Sequence, residues 1–325
     1  MNDNGLPMVS VCCQSYNQEP YIRQCLEGFI IQKTNFLFEV LIHDDASTDK
    51  TADIIREYEA KYPDIIKPIY QIENKYSKGI SIFREFQYPK AKGKYIAICE
   101  GDDYWIDPLK LQNQVDFLEA NSDYGLVWTD IDRFHQESQL FDKGYFKNDI
   151  YAFCNSFEDY LLYAPFRAPC TWLLRRSCII FNHSSSYLVG DLPLFLDVLA
   201  NYKIKKTDDV TAVYRVLKKS ASHFNNLEQL NAFMRGIYNI QIDYANKYNV
   251  SSKLIETIKI NYYKKSYLFA VALGDYEHIE LADKLLLERN DVSIGFKIII
   301  LLARTRIGRF LLKIKVKLFI FRSKC

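Results

Sequence analysis

The sequence predicts an α/β fold: a mainly parallel sheet with helices on both faces, plus a C-terminal helical extension. Three observations carry this reading. Apolar β-type runs alternate with amphipathic helical segments from Met8 to Ile131. Polar clusters close three of those runs, at Gln14-Ser15-Tyr16-Asn17, His43-Asp44-Asp45 and Glu100-Gly101-Asp102-Asp103. From about Leu227 the pattern becomes helical and polar/apolar periodic. Alternating strands and helices imply a parallel sheet covered on both faces, with ligands beyond the C-terminal strand ends.

The elements follow in order. Met8 to Cys13 reads as a strand, and Pro20 opens a helix through Ile31 with Ile22, Leu26, Phe29 and Ile30 on one face. Phe38 to Ile42 is a second strand, Asp49 to Tyr62 a helix and Ile65 to Gln71 a third strand. Ser77 to Tyr88 is less regular. Lys94 to Ile98 is a buried strand leading into the acidic cluster. Asp107-Pro108 supplies an N-cap and a Pro at the first helical position for a helix through Leu118. Gly125 to Ile131 is a further strand, the region 132–224 is mixed, and Val210 to Arg215 is its clearest strand. A boundary near residue 225 divides a catalytic-type domain, 1–224, from a helical region, 225–325.

The composition is globular, with 49% hydrophobic and 25% charged residues. The net charge of +2 carries no signal for nucleic acid, and none is expected as a partner. The polar start of the chain is not a basic, apolar leader, and no run reaches the length of a spanning helix. The expected location is therefore cytoplasmic. The eight cysteines contain no CxxC pair and read as free, buried thiols in a reducing compartment. Asn182-His183-Ser184 fits a glycosylation sequon and is read as chance.

Adjacent carboxylates at a strand exit repel one another, and burying one unpaired is costly. A divalent cation removes both problems. Mg²⁺ takes one or two carboxylates plus substrate phosphates, so Asp102-Asp103 reads as a Mn²⁺ or Mg²⁺ site holding a diphosphate, or else as a solvated turn. The chain has no GxGxxG after its first strand, no Walker A loop and only 12 glycines, which disfavours dinucleotide and P-loop enzymes. Phosphate would then be met by the metal and by basic side chains such as Lys78, Arg84 or Arg215. Asp45 can accept from a base or ribose, or cap a turn. Tyr16 can stack on a flat ring or pack on the sheet edge. Asp191, before an apolar helix, is a general-base candidate and equally an N-cap. His223 can add an imidazole ligand to the metal.

These residues resemble the family-2 glycosyltransferases of the GT-A fold, over roughly residues 8 to 224. Val9-Ser10-Val11 through Ser15-Tyr16-Asn17 is similar to that family's first strand and nucleotide loop. Glu39 through Asp49 is similar to its second strand and acidic turn. Ala91 through Ala97 followed by Asp102-Asp103 resembles the strand entering its metal motif. Gly190-Asp191 stands where its catalytic base is expected, and Tyr214-Arg215-Val216 through His223 where its late strand and histidine are. Gln14 departs from the usual Pro or Thr, Glu100-Gly101 from the usual lead-in, Phe83-Arg84-Glu85 from Ala-Arg-Asn, and Gly190 from the usual Glu.

The resemblance implies inverting transfer of a sugar from a nucleotide-sugar donor, with UDP as the family-level expectation. Asp103, with Asp102 and His223, would hold the metal, and Asp191 would deprotonate the acceptor. Gln14, Ser15, Tyr16, Asn17, Asp45, Arg84 and Asp102 would bind the nucleotide. Trp172 would contact the acceptor, a glycan or lipid-linked saccharide, or be core. The implied setting is bacterial surface polysaccharide assembly. A non-catalytic nucleotide-sugar or glycan-binding module and a sugar-phosphate nucleotidylyltransferase are the competing readings; the latter lacks its Gly-rich basic loop here.

After Asp291 the chain has no acidic residue while Lys and Arg recur. Arg306, Arg309, Lys313 and Lys317 fall on one helical face, with Lys315 opposite, and Lys313 to Leu318 also alternates as a strand would. The segment reads either as an interfacial element on an anionic membrane or as a helix docked on the protein.

Overall fold

The computed structural model describes residues 5–180, 187, 190–218, 226–287, 289 and 292–322, with the backbone alone for 317–322. Residues 1–220 and 221–325 form two compact units. His223 and the sequon at 182–184 lie outside the described residues.

The first unit is built on nine strands among the described residues: β1 (Val9–Ser15), β2 (Phe38–Asp44), β3 (Ile66–Tyr70), β4 (Tyr95–Ile98), β5 (Tyr104–Trp105), β6 (Tyr124–His135), β7 (Leu140–Asp142), β8 (Leu173–Arg175) and β9 (Lys203–Val216). They form one sheet in the order β3-β2-β1-β4-β8-β6-β9-β5, with β7 paired to β6. β1 to β4 pair in parallel, as expected. β8 then runs antiparallel to both β4 and β6, and β5 antiparallel to β9. The later half is thus mixed rather than parallel.

β1 is buried along almost its whole length, which fits a central parallel strand. Its one early polar side chain, Ser10, donates to Glu39 Oε1 at 2.6 Å. Helices α1 (Ile22–Ile30), α2 (Thr51–Lys61), α3 (Lys110–Ala120), α4 (Phe157–Tyr163) and α5 (Asp191–Leu199) belong to this unit. α1 buries Ile22, Cys25, Leu26 and Phe29, spaced i, i+3, i+4, i+7. It lies so close to β5 that a Cβ on Gly28 would stand 2.7 Å from the Trp105 backbone nitrogen. Only glycine fits there.

Several details differ from the sequence reading. α3 starts at Lys110, because Asp107 Oδ1 accepts the Leu109 N–H at 2.9 Å and makes a turn before the helix. The irregular 77–88 segment contains a π-helical turn, Phe83–Gln87. β9 begins seven residues before Val210, and β5 is two residues long, too short to show a period.

The second unit consists of α6 (Leu227–Lys247), α7 (Ser252–Leu273), α8 (Tyr276–Leu286), α9 (Ile294–Ala303) and α10 (Arg306–Arg322). Asn226, Ser251, Asp275 and Ser293 cap the first four with side-chain oxygens. Tyr267, Val271, Ala282, Leu286, Ile300 and Leu312 form its core. The alternating stretch Lys313 to Leu318 is helical.

Candidate active site

The three polar clusters converge at the C-terminal ends of β1, β2 and β4 because those strands are adjacent and parallel. Backbone bonds fasten the exits together. Asp45 N donates to Ser15 O at 3.0 Å, and Gly101 N to Gln14 O at 2.9 Å. A Cβ on Gly101 would stand 3.1 Å from Gln14 O and would displace the ends of the Gln18 and Ile22 side chains, so the acidic turn presses closely on β1.

Several residues expected to bind nucleotide already have work within the fold. Ser15 Oγ donates to His43 O at 3.0 Å. Asn17 has a left-handed backbone (φ 51°), and its Oδ1 accepts the Thr48 N–H at 2.8 Å, tying the first loop to the second. Asp45 is buried; its two oxygens accept the N–H groups of Lys75 and Tyr76 at 2.8 and 2.9 Å. Arg84 sits in the π-helical turn, paired with Glu85 at 3.3 Å. Trp172 is 1% exposed and packs on Phe195 of α5 with ring centroids 5.0 Å apart, so its ring is core.

Other residues remain on the surface of a cleft. Tyr16, 46% exposed, lines a cavity of about 460 Å³ with Asn17, Gln18, Tyr21, Asp102, Gln136, Glu137, Leu217 and Lys218. An adjoining cavity shares Tyr21 and Gln136 and is lined by Tyr104, Phe134 and Arg215. Arg84 lines neither.

The two aspartates of the acidic turn face different surroundings. Asp102 lines the cleft. Asp103 is 2% exposed, and its Oδ1 accepts the backbone N–H of Arg215 at 2.8 Å. The Arg215 guanidinium donates to Asp102 O at 2.8 Å, Gln136 Oε1 at 2.6 Å and Gln24 Oε1 at 2.7 Å. It also lies over the rings of Tyr21, Tyr104 and Phe134. Arg215 is therefore a brace for the acidic turn.

The electrostatics are those of crowded, poorly solvated carboxylates. Burial pushes Glu100 up to about 7, with the charges of Asp102 and Asp191 adding to it. Burial also raises Asp102. Asp103 is held well above its ordinary range by burial and then by Asp102 and Glu100. Asp191, the first residue of α5, is raised by burial while its Oδ1 accepts the Leu192 N–H at 2.9 Å. Its effect on Glu100 places Asp191 within electrostatic reach of the acidic turn.

Among the described residues no three His, Cys, Asp or Glu side chains form a ready-made metal cage. The donor set nevertheless suits a hard cation that keeps phosphate oxygens as ligands. Asp102 faces the cleft, and Glu100 Oε2 is buried with no hydrogen-bond partner among the described residues. The sequence places Glu100 in the polar cluster at the end of its strand, and gives it no role of its own beyond departing from the usual motif. Lys218 and Gln136 were not singled out for the cleft; they follow the ends of β9 and β6, where a strand-exit argument would find them.

Residues 10–180 match the sequence profile of Glycosyl transferase family 2. The chain belongs to this family. A protein of Mycobacterium tuberculosis, uncharacterized protein Rv1520, is 49% identical over 115 residues, 35% of this chain and 32% of that one. The matched segment thus spans about a third of the length of such relatives. The UDP-Glc:alpha-D-GlcNAc-diphosphoundecaprenol beta-1,3-glucosyltransferase WfaP of Escherichia coli is 29% identical over 219 residues, 67% of this chain and 80% of that one. The fold is that of Staphylococcus aureus TarS residues 1–349, solved with UDP-GlcNAc: TM-score 0.63, 16% identity, 95% of this chain and 91% of that one covered. No helix among the described residues is long and apolar enough to cross a membrane.

Proposed function

We propose that this glycosyltransferase moves a sugar from a nucleoside-diphosphate donor, a UDP-sugar, to a hydroxyl of a glycan or lipid-linked saccharide, with inversion at the anomeric carbon. The setting proposed is assembly of a bacterial surface polysaccharide at the cytoplasmic face of the membrane. One observation carries the reading. Asp102 lines a cleft at the strand exits; its charge and that of Asp191 raise Glu100, and Asp102 and Glu100 together raise Asp103. Four carboxylates so placed are costly in a structural turn and useful against a cation and a diphosphate. The relatives support the same direction: WfaP is by its name a glucosyltransferase acting on a diphosphoundecaprenol-linked sugar.

In this reading Asp102 presents the cleft-side oxygen, with Glu100 behind it, while Asp103 and Arg215 hold the turn in place. Mn²⁺ or Mg²⁺ bound there supplies positive charge that stabilises the departing nucleoside diphosphate. His223 is kept as a further ligand. Tyr16 stacks on the base or ribose from the rim, and Gln14, Ser15, Asn17 and Asp45 shape the nucleotide pocket through the loops they fasten. Arg84, which lines neither cavity, is given no part in holding the donor.

Asp191 takes the proton from the acceptor hydroxyl as its oxygen attacks the anomeric carbon. The new glycosidic bond forms opposite the breaking bond to the diphosphate, whose electron pair leaves with the phosphate oxygen. The raised basicity of Asp191, due to burial, suits it to this role.

Calorimetric titration of UDP, GDP, dTDP and ADP with and without Mn²⁺, on the wild type and on Asp102→Ala, tests the reading. One nucleotide bound only with metal and lost in the variant supports it. Binding indifferent to both metal and Asp102, or none at all, rejects the acidic turn as the donor site.

A further inference from the structure

The last two helices carry a second surface that the transfer reaction does not use. α9 exposes Ile294, Ile298, Leu301 and Leu302, spaced i, i+4, i+7, i+8 on one helical face. Ile300 and Ala303 on its other side are buried in the helical core. α10 repeats the pattern. Ile307, Phe310, Leu311 and Ile314, spaced i, i+3, i+4, i+7, are exposed, with Ile307 at 76% and Phe310 at 63%. Leu312 and Val316 on the opposite side are buried. Isolated exposed aliphatics are ordinary, but two helices each showing a complete apolar stripe to solvent are not.

The charges say what covers these stripes. At roughly 100° per residue, Arg306 and Lys313 fall on one flank of the α10 stripe and Lys315 on the other. Lys297 flanks the α9 stripe. From Val292 onward the sequence has nine Lys and Arg and no Asp or Glu. A second copy laid on this face would bring like charges together around the contact, which opposes a symmetric dimer. An anionic bilayer meets both features, because its acyl boundary takes the apolar stripe and its headgroups neutralise the flanking cations.

We propose that α9 and α10 lie in the interface of an anionic lipid membrane, apolar stripes inward and Lys297, Arg306, Lys313 and Lys315 at the headgroups. The helices lie on the bilayer and do not span it, since each keeps a face buried in the protein core. This goes beyond the donor chemistry and is read out by lipid binding alone, so its failure would leave the glycosyltransferase assignment intact.

The test is flotation of the full chain with vesicles of phosphatidylcholine containing about 30% phosphatidylglycerol, against phosphatidylcholine alone. Two variants accompany it: Phe310→Glu with Ile314→Glu in the stripe, and Arg306→Glu with Lys313→Glu on the flank. Thermal melting confirms that each is folded. The expected result is binding to the anionic vesicles only, released as NaCl rises from about 0.05 M to about 0.5 M, and weakened about tenfold or more by either variant. Absence of flotation with anionic vesicles overturns the proposal. So does flotation that neither variant weakens. Sedimentation equilibrium showing a dimer that the stripe variant dissociates would assign the face to a second copy and overturn it as well.

Discussion

Arg215 and Asp103 meet through the strand rather than through their charges: the backbone N–H of Arg215 donates to Asp103 Oδ1 at 2.8 Å. This leaves the guanidinium to reach past Asp103 and grip the carbonyl of Asp102. One residue on β9 thus fixes both members of the acidic pair. Lysine cannot reproduce the planar fork that also satisfies Gln24 and Gln136. Hydrogen bonds to charged groups contribute about 1.5–3 kcal/mol each. Arg215→Lys is expected to lower stability by roughly 2–4 kcal/mol in urea denaturation. It should also weaken metal-dependent nucleotide binding about tenfold, measured by calorimetry. Unchanged binding would mean that the turn holds its shape without this brace.

Asp102 and Asp103 should separate cleanly on substitution. Asp102→Ala removes a charge that raises both Glu100 and Asp103. The variant should melt at the wild-type temperature or above while losing Mn²⁺-dependent nucleotide binding. Asp103→Ala leaves the Arg215 N–H without its acceptor in a buried place, at a cost of about 1–3 kcal/mol. Melting curves beside binding isotherms check the pair; a stable Asp103→Ala or a destabilised Asp102→Ala would reverse the roles.

These contrasts mark where sequence reading stops. The parallel half of the sheet was legible because β1, β2 and β4 are apolar runs ending in polar clusters, and the ends of parallel neighbours must share an edge. The acidic turn was legible as chemistry. Which aspartate faces the cleft was not, because adjacent residues at a turn differ only in direction, and that is set by a strand over a hundred residues later. Ser15, Asn17 and Asp45 carry the residue types of a binding loop, yet their atoms bind a neighbouring strand and neighbouring loops; a sequence shows the donor inventory but not the partner. β5 escaped notice because it is held by Trp105, whose Nε1 donates to Cys170 O at 2.7 Å, and not by any local pattern.

Asp191→Asn tests the base. The amide keeps an oxygen for the Leu192 N–H, so α5 should start as before. An amide cannot take the acceptor's proton. Steady-state kinetics should show kcat lower by about 10²–10⁴ while donor affinity stays near the wild type. A variant with wild-type kcat would remove Asp191 from the reaction.

Lys110 gives the chain a pH dependence of its own. It is buried at the start of α3, with Nζ 2.7 Å from Gln114 Oε1 and 4.3 Å from the centre of the Trp105 ring. Burial lowers it to about 7 from an ordinary 10.5, outweighing the nearby Cys99, Cys170 and Asp107. In the folded chain the amine is therefore neutral above about pH 7, whereas the unfolded chain keeps its proton to about pH 10.5. Between those values the unfolded state binds more protons, so this residue makes stability rise with pH, by at most about 1.4 kcal/mol per unit. Buried thiols such as Cys99, raised to about 12, act in the opposite sense. The comparison must therefore be a difference. Lys110→Met keeps the length of the side chain and removes the amine, and its thiol terms are shared with the wild type. From pH 7 to pH 9 the wild type should gain up to roughly 2–3 kcal/mol relative to Lys110→Met, measured by urea denaturation at each pH. A constant difference across that range would show that Lys110 keeps its proton in the folded chain.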